Sequence, residues 1–367
     1  MKPLLTILSW IYGAVISIRH RLYNWGVFKS YSFDIPIVCI GNITVGGTGK
    51  TPMAEMVISE LTEKYKIALL SRGYGRRTKG YYEVKTTDSY LSVGDEPLQV
   101  KLKFPDTVVV VCEDRVAAIN RIRQEHPEVN LIIMDDGFQH RRVRPKVNII
   151  ILDATRPVEN DYLLPRGRLR DLKSRLNEAH FFIISKCSEH MKPLERRLWC
   201  KKVRTIAYQK VYFSQIATKD IEPLFYFEER EEIDYGCQAI LLVGVGNPRP
   251  FIREAQIRFN IVDKMIMPDH HVYNKADIAQ LGQMLARHPR AIILMTEKDA
   301  IKLFRVTSMP EGLRRAMYYQ PIKTQLIEGP DKDFIGNLIA DIEFKDEAGG
   351  KASKRKNQEI ILDDEEI

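Results

Sequence analysis

Three short stretches of this chain bear on nucleotide chemistry by the types and spacing of their side chains. The first is GGTGKT at 46–51, preceded by the apolar run IPIVCI and followed by a helix-forming segment. A strand, a glycine-rich turn and a helix in that order make a phosphate-binding loop. Gly46, Gly47 and Gly49, with Thr44, Val45 and Thr48 completing the turn, would bring backbone N–H groups to phosphate oxygens. The positive end of the following helix points at the same oxygens. Lys50 would reach the β- and γ-phosphates, and the Thr51 hydroxyl would ligate Mg2+. Thr44 stands where the strict pattern has glycine, and Val45 where some dimeric ATPases carry an additional lysine, so a lysine acting across a dimer is not expected.

The second stretch, NLIIMDDGFQHRR, is an apolar run ending in Asp135 and Asp136. Two adjacent carboxylates at a buried strand end are unfavourable unless a cation or donors satisfy them. They are the candidates for a second metal-holding element. The third, FFIISKCS, has the outline of a guanine reader, but Ser185 and Ser188 replace the first residue and the aspartate that such readers use. TEKDA at 296–300 has suitable letters at the wrong spacing. The expected nucleotide is therefore ATP rather than GTP.

The elements that must position these groups follow from hydrophobic pattern. IPIVCI, KIALLS, TVVVVC, NLIIMDD, NIIILD and HFFIIS read as strands buried on both faces, and helical segments at 52–64, 96–102 and 114–126 lie between them. The expectation is an α/β fold: a P-loop NTPase-like, doubly wound, mostly parallel sheet with a second, smaller α/β domain. At 367 residues the chain exceeds what one core usually holds. The expected division is an amino-terminal membrane-associated helix at 1–30, the P-loop domain at 31–207, a β linker at 208–237, the smaller domain at 238–343 and a disordered charged tail at 344–367.

Leu4 to Ile18 is apolar, with Thr6, Ser9, Gly13 and Ser17 at helical spacing, and Arg19, His20, Arg21, Tyr23 and Trp25 follow. It is short for a bilayer span. Two readings stand: a helix on a membrane surface, or one docked on the protein's own core. The formal charge of +8 favours an anionic partner such as an anionic membrane surface. No nucleic-acid motif accompanies it, and none of the five cysteines forms a CxxC pair that would suggest zinc.

GNITVGGTGKTP, SRGYGR, VGDEP, EDR, DDGFQHRR, LLPRGRLRD, GVGNP, DHH and TEKDA occur in this order. In that order the chain resembles the lipid A 4′-kinase (tetraacyldisaccharide 4′-kinase) family. The resemblance implies ATP and Mg2+ as cofactors, and as acceptor a lipid A disaccharide 1-phosphate precursor phosphorylated on its 4′-hydroxyl. It further implies the cytoplasmic face of the bacterial inner membrane, a monomer, and no nucleic acid. By motif, Asp95 of VGDEP is similar to the residue that receives the acceptor's proton and His270 of DHH to its partner, with adjacent His271 the alternative. Without the resemblance, a helix cap is the alternative reading of Asp95. Arg115 and Arg170 match arginines near phosphate oxygens, and Glu96 and Asp136 match residues near the metal, with Asp135 and Gln139 close by. Arg72, Tyr74 and Arg76, with Gln139 and His140, are the candidates for the acceptor side. Asp171 stands where relatives often carry Glu, which puts a place near the metal in doubt.

Overall fold

The computed structural model describes residues 2–203, 206–228, 233–306, 309–327 and 333–344. The tail expected from 344 lies, beyond Phe344, outside the described residues, as does the middle of the acidic run near 230. The described strands are β1 (Ile37–Gly41), β2 (Ile67–Ser71), β3 (Tyr82–Glu83), β4 (Val108–Val111), β5 (Leu131–Asp135), β6 (Val147–Asp153), β7 (Phe181–Ser185), β8 (Lys210–Thr218), β9 (Glu222–Pro223), β10 (Gln238–Val243), β11 (Asn260–Ile266), β12 (Ile292–Thr296), β13 (Met317–Gln320) and β14 (Ile322–Leu326). The helices are α1 (Lys2–Asn24), α2 (Lys50–Leu61), α3 (Tyr90–Val93), α4 (Asp95–Lys103), α5 (Arg115–Glu125), α6 (Pro193–Val203), α7 (Arg249–Arg258), α8 (Lys275–Arg287), α9 (Glu297–Leu303), α10 (Glu311–Arg315) and α11 (Phe334–Glu343).

The larger sheet runs β14-β8-β7-β6-β1-β5-β2-β4-β3, parallel except for its two edge strands. All six runs read as buried strands lie in it. Alternate residues of β1 serve opposite faces: Ile37 and Cys39 join the cluster under α5 and α6, while Val38 and Ile40 join the cluster under α2 and α4. Such two-sided cover is what continuous Val/Ile runs require. β1 lies between β6 and β5, with Ile40 opposite Asp135. Ligands of open parallel sheets collect at the carboxyl ends of strands where the order of connection reverses. The loop after β1 and the acidic end of β5 meet at such a place.

The second sheet runs β11-β10-β12-β13-β9, parallel except for β9. The expected boundaries differ from the structure at two points. The first third of the expected linker, β8, is an integral strand that pairs with β7. The chain then returns from the second sheet: β14 pairs antiparallel with β8, and Phe334, Leu338 and Ile342 of α11 enter the core beside α2. Their four-residue spacing puts them on one helical face, and burying that face needs the larger sheet's uncovered surface.

α1 is docked by its small and polar face. Ser9 Oγ donates to the Leu163 carbonyl at 2.8 Å, and a Cβ on Gly13 would come within 2.8 Å of Leu163. His20 Nε2 meets Asp171 Oδ1 at 2.7 Å. The other face leaves Leu4, Ile7, Leu8, Ile11, Val15 and Ile18 exposed, with Trp10 70% exposed beside them. No helix among the described residues is long and apolar enough to cross a membrane.

Candidate active site

The site has a nucleotide side and an acceptor side. On the nucleotide side, Gly46 and Gly49 take φ of +102° and +90°, the left-handed region that favours glycine. Gly49 is the N-cap of α2, and no side chain competes there for the helix's first N–H groups. The protein holds the loop from behind. Ser185 Oγ donates to the Thr48 carbonyl at 2.7 Å, Lys186 Nζ donates to the Gly47 carbonyl, and Lys186 pairs with Asp153 at 2.6 Å. Asn42 Nδ2 donates to Thr48 Oγ1 at 2.7 Å. In a planar trans peptide the N–H points opposite the C=O, so tethering these carbonyls aims the next N–H groups away from the protein.

The N–H of Val45, expected to face phosphate, is taken up by the protein: the segment 168–170 lies antiparallel beside Thr44 and Val45. Val45 N–H donates to the Arg168 carbonyl and Arg170 N–H to the Ile43 carbonyl, each at 2.9 Å. This pairing delivers the Arg170 guanidinium to both oxygens of Asp136, one of them at 3.0 Å. Lys50 Nζ is 3.7 Å from the same carboxylate. Burial alone would raise Asp136, but the hydrogen bond from Arg170 and the charges of Lys50 and Arg170 outweigh it and hold its carboxyl low.

Asp135 behaves oppositely. Burial, then the negative charges of Glu96 and Asp136, push its carboxyl up, and its Oδ1 is buried with no partner. An orphaned buried carboxylate oxygen among like charges marks a place for a cation. Thr51, Glu96, Asp135 and Asp136 are all-oxygen donors, the set that a hard divalent ion such as Mg2+ takes. The residues present therefore fit the metal.

On the acceptor side, Asp95 begins α4. Gly94, φ +96°, precedes it, where a Cβ would press on Gly73 and Tyr74. Asp95 Oδ1 accepts from Glu96 N–H at 3.0 Å, so it does lie at a helix start as a cap would. Its other oxygen meets His270 Nδ1 at 3.2 Å and Lys298 Nζ at 3.6 Å, both from the second sheet's side. Burial would raise Asp95, but the His270 hydrogen bond and the Lys298 charge lower it to about 2. His271 instead reaches Asp277 of α8 at 2.9 Å, so the two histidines are separated by partner. The Tyr74 ring stands 5.4 Å from that of His270.

The remaining candidates divide. Arg115, first residue of α5, is buried, donates to the Cys112 carbonyl at 3.0 Å and feels the charges of Arg72, Asp136 and Asp135, which places it beside the acidic pair. Gln139 Nε2 donates to the Asn42 carbonyl at 2.7 Å behind the loop. His140 is half-buried with Nε2 unpartnered; burial, then Arg115 and Arg142, lower it to about 4. Arg72 is exposed. Arg76 does not join them: it pairs with Glu113 at 2.7 Å and donates to the Gly80 carbonyl, bracing its own loop. Asp171, expected in doubt near the metal, is turned to His20 of α1.

Sequence reasoning passed over Asn42, Lys186 as a tether, and Lys298. The signal for Lys298 is its place in TEKDA, directly after the apolar run AIILM.

A doubly wound sheet with a phosphate loop on its central strand, an acidic neighbouring strand end, and a carboxylate–histidine pair opposite defines a P-loop kinase. The profile of the tetraacyldisaccharide-1-P 4′-kinase family matches residues 1–341. The tetraacyldisaccharide 4′-kinase of Bacteroides fragilis is 36% identical over 340 residues, covering 90% of each chain. That of Porphyromonas gingivalis is 37% identical over 353 residues, covering 94% of this chain and 97% of the relative. The chain belongs to the tetraacyldisaccharide-1-P 4′-kinase family. A crystal structure of "apo" form LpxK from Aquifex aeolicus in complex with ATP shares the fold at TM-score 0.71 and 23% identity, over 93% of this chain and 99% of that one.

Proposed function

We propose that this kinase transfers the γ-phosphate of ATP to the 4′-hydroxyl of the tetraacylated glucosamine disaccharide 1-phosphate, a lipid A precursor, at the cytoplasmic face of the inner membrane. The observation that carries it is the run of charges Lys50, Asp136, Asp135, Glu96, Lys298, Asp95 and His270, which joins the phosphate loop to the carboxylate–histidine pair.

Lys50 and the loop N–H groups bind the triphosphate, and Arg170 exchanges part of its contact with Asp136 for phosphate oxygens. Planar guanidinium groups bind such oxygens in pairs. Thr51, Glu96, Asp135 and Asp136 would hold Mg2+, which supplies charge neutralisation for the phosphoryl oxygens. Asp95 accepts the acceptor hydroxyl's proton as that oxygen bonds to the γ-phosphorus and the bond to the β,γ-bridging oxygen breaks, releasing ADP. A carboxylate held at about 2 is a weak base. That suits a loose transition state in which the nucleophile keeps its proton until late. His270 orients the carboxylate.

The exposed apolar face of α1, bordered by Arg19 and Arg21, supports attachment to an anionic bilayer surface where an acylated acceptor resides. The deciding experiment incubates the purified protein with γ-labelled ATP and the disaccharide 1-phosphate lipid in detergent, then locates the label. Label on the 4′-oxygen is expected; ATP consumption that is indifferent to the lipid would refute the reading.

A further inference from the structure

We propose that Lys298 is a positioning residue for Asp95, selecting which carboxylate oxygen faces the acceptor hydroxyl. The inference rests on the reading of Asp95 as proton acceptor and deepens it.

α9 begins directly after β12, capped by Thr296, whose Oγ1 accepts from Asp299 N–H at 3.2 Å. Lys298 leaves its first turn and reaches α4, 3.2 Å from Glu96 Oε1 and 3.6 Å from Asp95 Oδ2. His270 Nδ1 is on that same Oδ2. An imidazole nitrogen and an ammonium therefore gather on one oxygen, while Oδ1 carries a single backbone N–H. Each carboxylate oxygen offers about two acceptor directions. Oδ1 is the oxygen with room for an incoming O–H, and the two contacts on Oδ2 oppose rotation of the carboxylate.

The residue before it fixes where Lys298 starts. Glu297 is buried and pairs with Lys103 of α4 at 2.6 Å; Lys103 pairs in turn with Glu55 of α2 at 2.7 Å. Gln99 of α4 donates to both carboxylates, at 2.7 Å and 3.4 Å. A buried pair of like charges on one lysine holds together only if every member stays in place. Glu297 thus ties α9 to the phosphate-loop helix and to the far end of α4, while Lys298 holds the near end. The lysine acts from a frame shared by both halves of the reaction.

A plain inter-sheet ion pair would affect stability alone. A positioning role affects the chemical step, and misplacing a reacting group by about 1 Å costs on the order of 10²-fold. The test measures kcat and both KM values, with ATP and the lipid acceptor in mixed micelles, for Lys298→Met and Lys298→Arg. Lys298→Met should lower kcat by roughly 10- to 10²-fold with the KM for ATP within about threefold, and Lys298→Arg should recover much of it. Two results would overturn the proposal: kcat within about threefold of the parent, or a loss matched by weaker ATP binding and unrescued by arginine. If the parent protein fails to label the lipid, the kinase reading itself fails. The ion pair by itself is then judged by thermal stability in a cycle pairing Lys298→Met with Asp95→Asn, where additive changes overturn the contact and with it the positioning role, and non-additive ones establish a plain ion pair only and overturn the positioning role.

Discussion

The two sides of the site are built by different means. The nucleotide side is local: the loop, Lys50 and Thr51 are contiguous in the chain, and Asp135 and Asp136 come from the strand hydrogen-bonded to β1. Its anchoring partners, Ser185, Lys186 and the 168–170 segment, all belong to the same sheet or its loops. The acceptor side is composite. Asp95 belongs to the larger sheet's helix layer, whereas His270 follows β11 and Lys298 opens α9 after β12. One side can form with a single sheet; the other exists only when two sheets are held in register by contacts such as those of Glu297 and Lys103. Perturbations should respect this division.

The largest expected effect breaks the nucleotide side. Lys50→Ala removes the charge that meets the transferring phosphoryl group, and losses of such charges run to about 10³- to 10⁵-fold in kcat. Asp136 keeps Arg170, so the fold should persist and the melting temperature should stay near that of the parent. The next effect separates the two sides. Asp95→Asn should lower turnover by about 10²- to 10⁴-fold, the usual worth of general-base action, while ATP binding by calorimetry stays near normal. If turnover and ATP affinity fell together, the two sides would not be separable.

The same division explains what could be read from the chain in advance. The phosphate loop and acidic strand end were legible because strand, turn and helix signals coincide within a dozen residues. The return of β14 and α11 was not, because IKTQL and the apolar face of Phe334, Leu338 and Ile342 carry no mark of which sheet they join. Lys298 and Glu297 were illegible for a related reason. Their partners lie about two hundred residues away, and ion pairs leave no periodicity. Asp171 illustrates the point from the other direction: an aspartate in a site motif looked like a weakened metal residue, and only its contact with His20 reveals an anchor for α1.

That anchor extends the acceptor side to the membrane, and Trp10 tests the extension. Trp10 is 70% exposed on a helix whose polar face is already satisfied by the protein. Trp10→Asp should weaken sedimentation with anionic vesicles by about tenfold or more, the scale of losing one large apolar side chain from the interface. Activity on a detergent-dispersed acceptor should change far less. Equal losses in both assays would assign Trp10 to folding rather than to the bilayer.

The smallest effect falls at His140, on the loop after β5. His140 lies near Arg115 and Arg142 with its Nε2 unpartnered, and burial and those charges lower it to about 4 from an ordinary value near 6.5. Below 6.5 the unfolded chain takes up a proton that the folded chain refuses until about 4. Stability attached to His140 is thus intact above 6.5 and declines as pH falls through that window, because the unfolded state binds more protons there. His140→Gln removes this proton uptake, so its melting temperature should fall less between pH 7 and pH 5 than the parent's. An unchanged slope would mean that His140 reaches solvent freely, and the arginines around it would no longer define a protected basic corner.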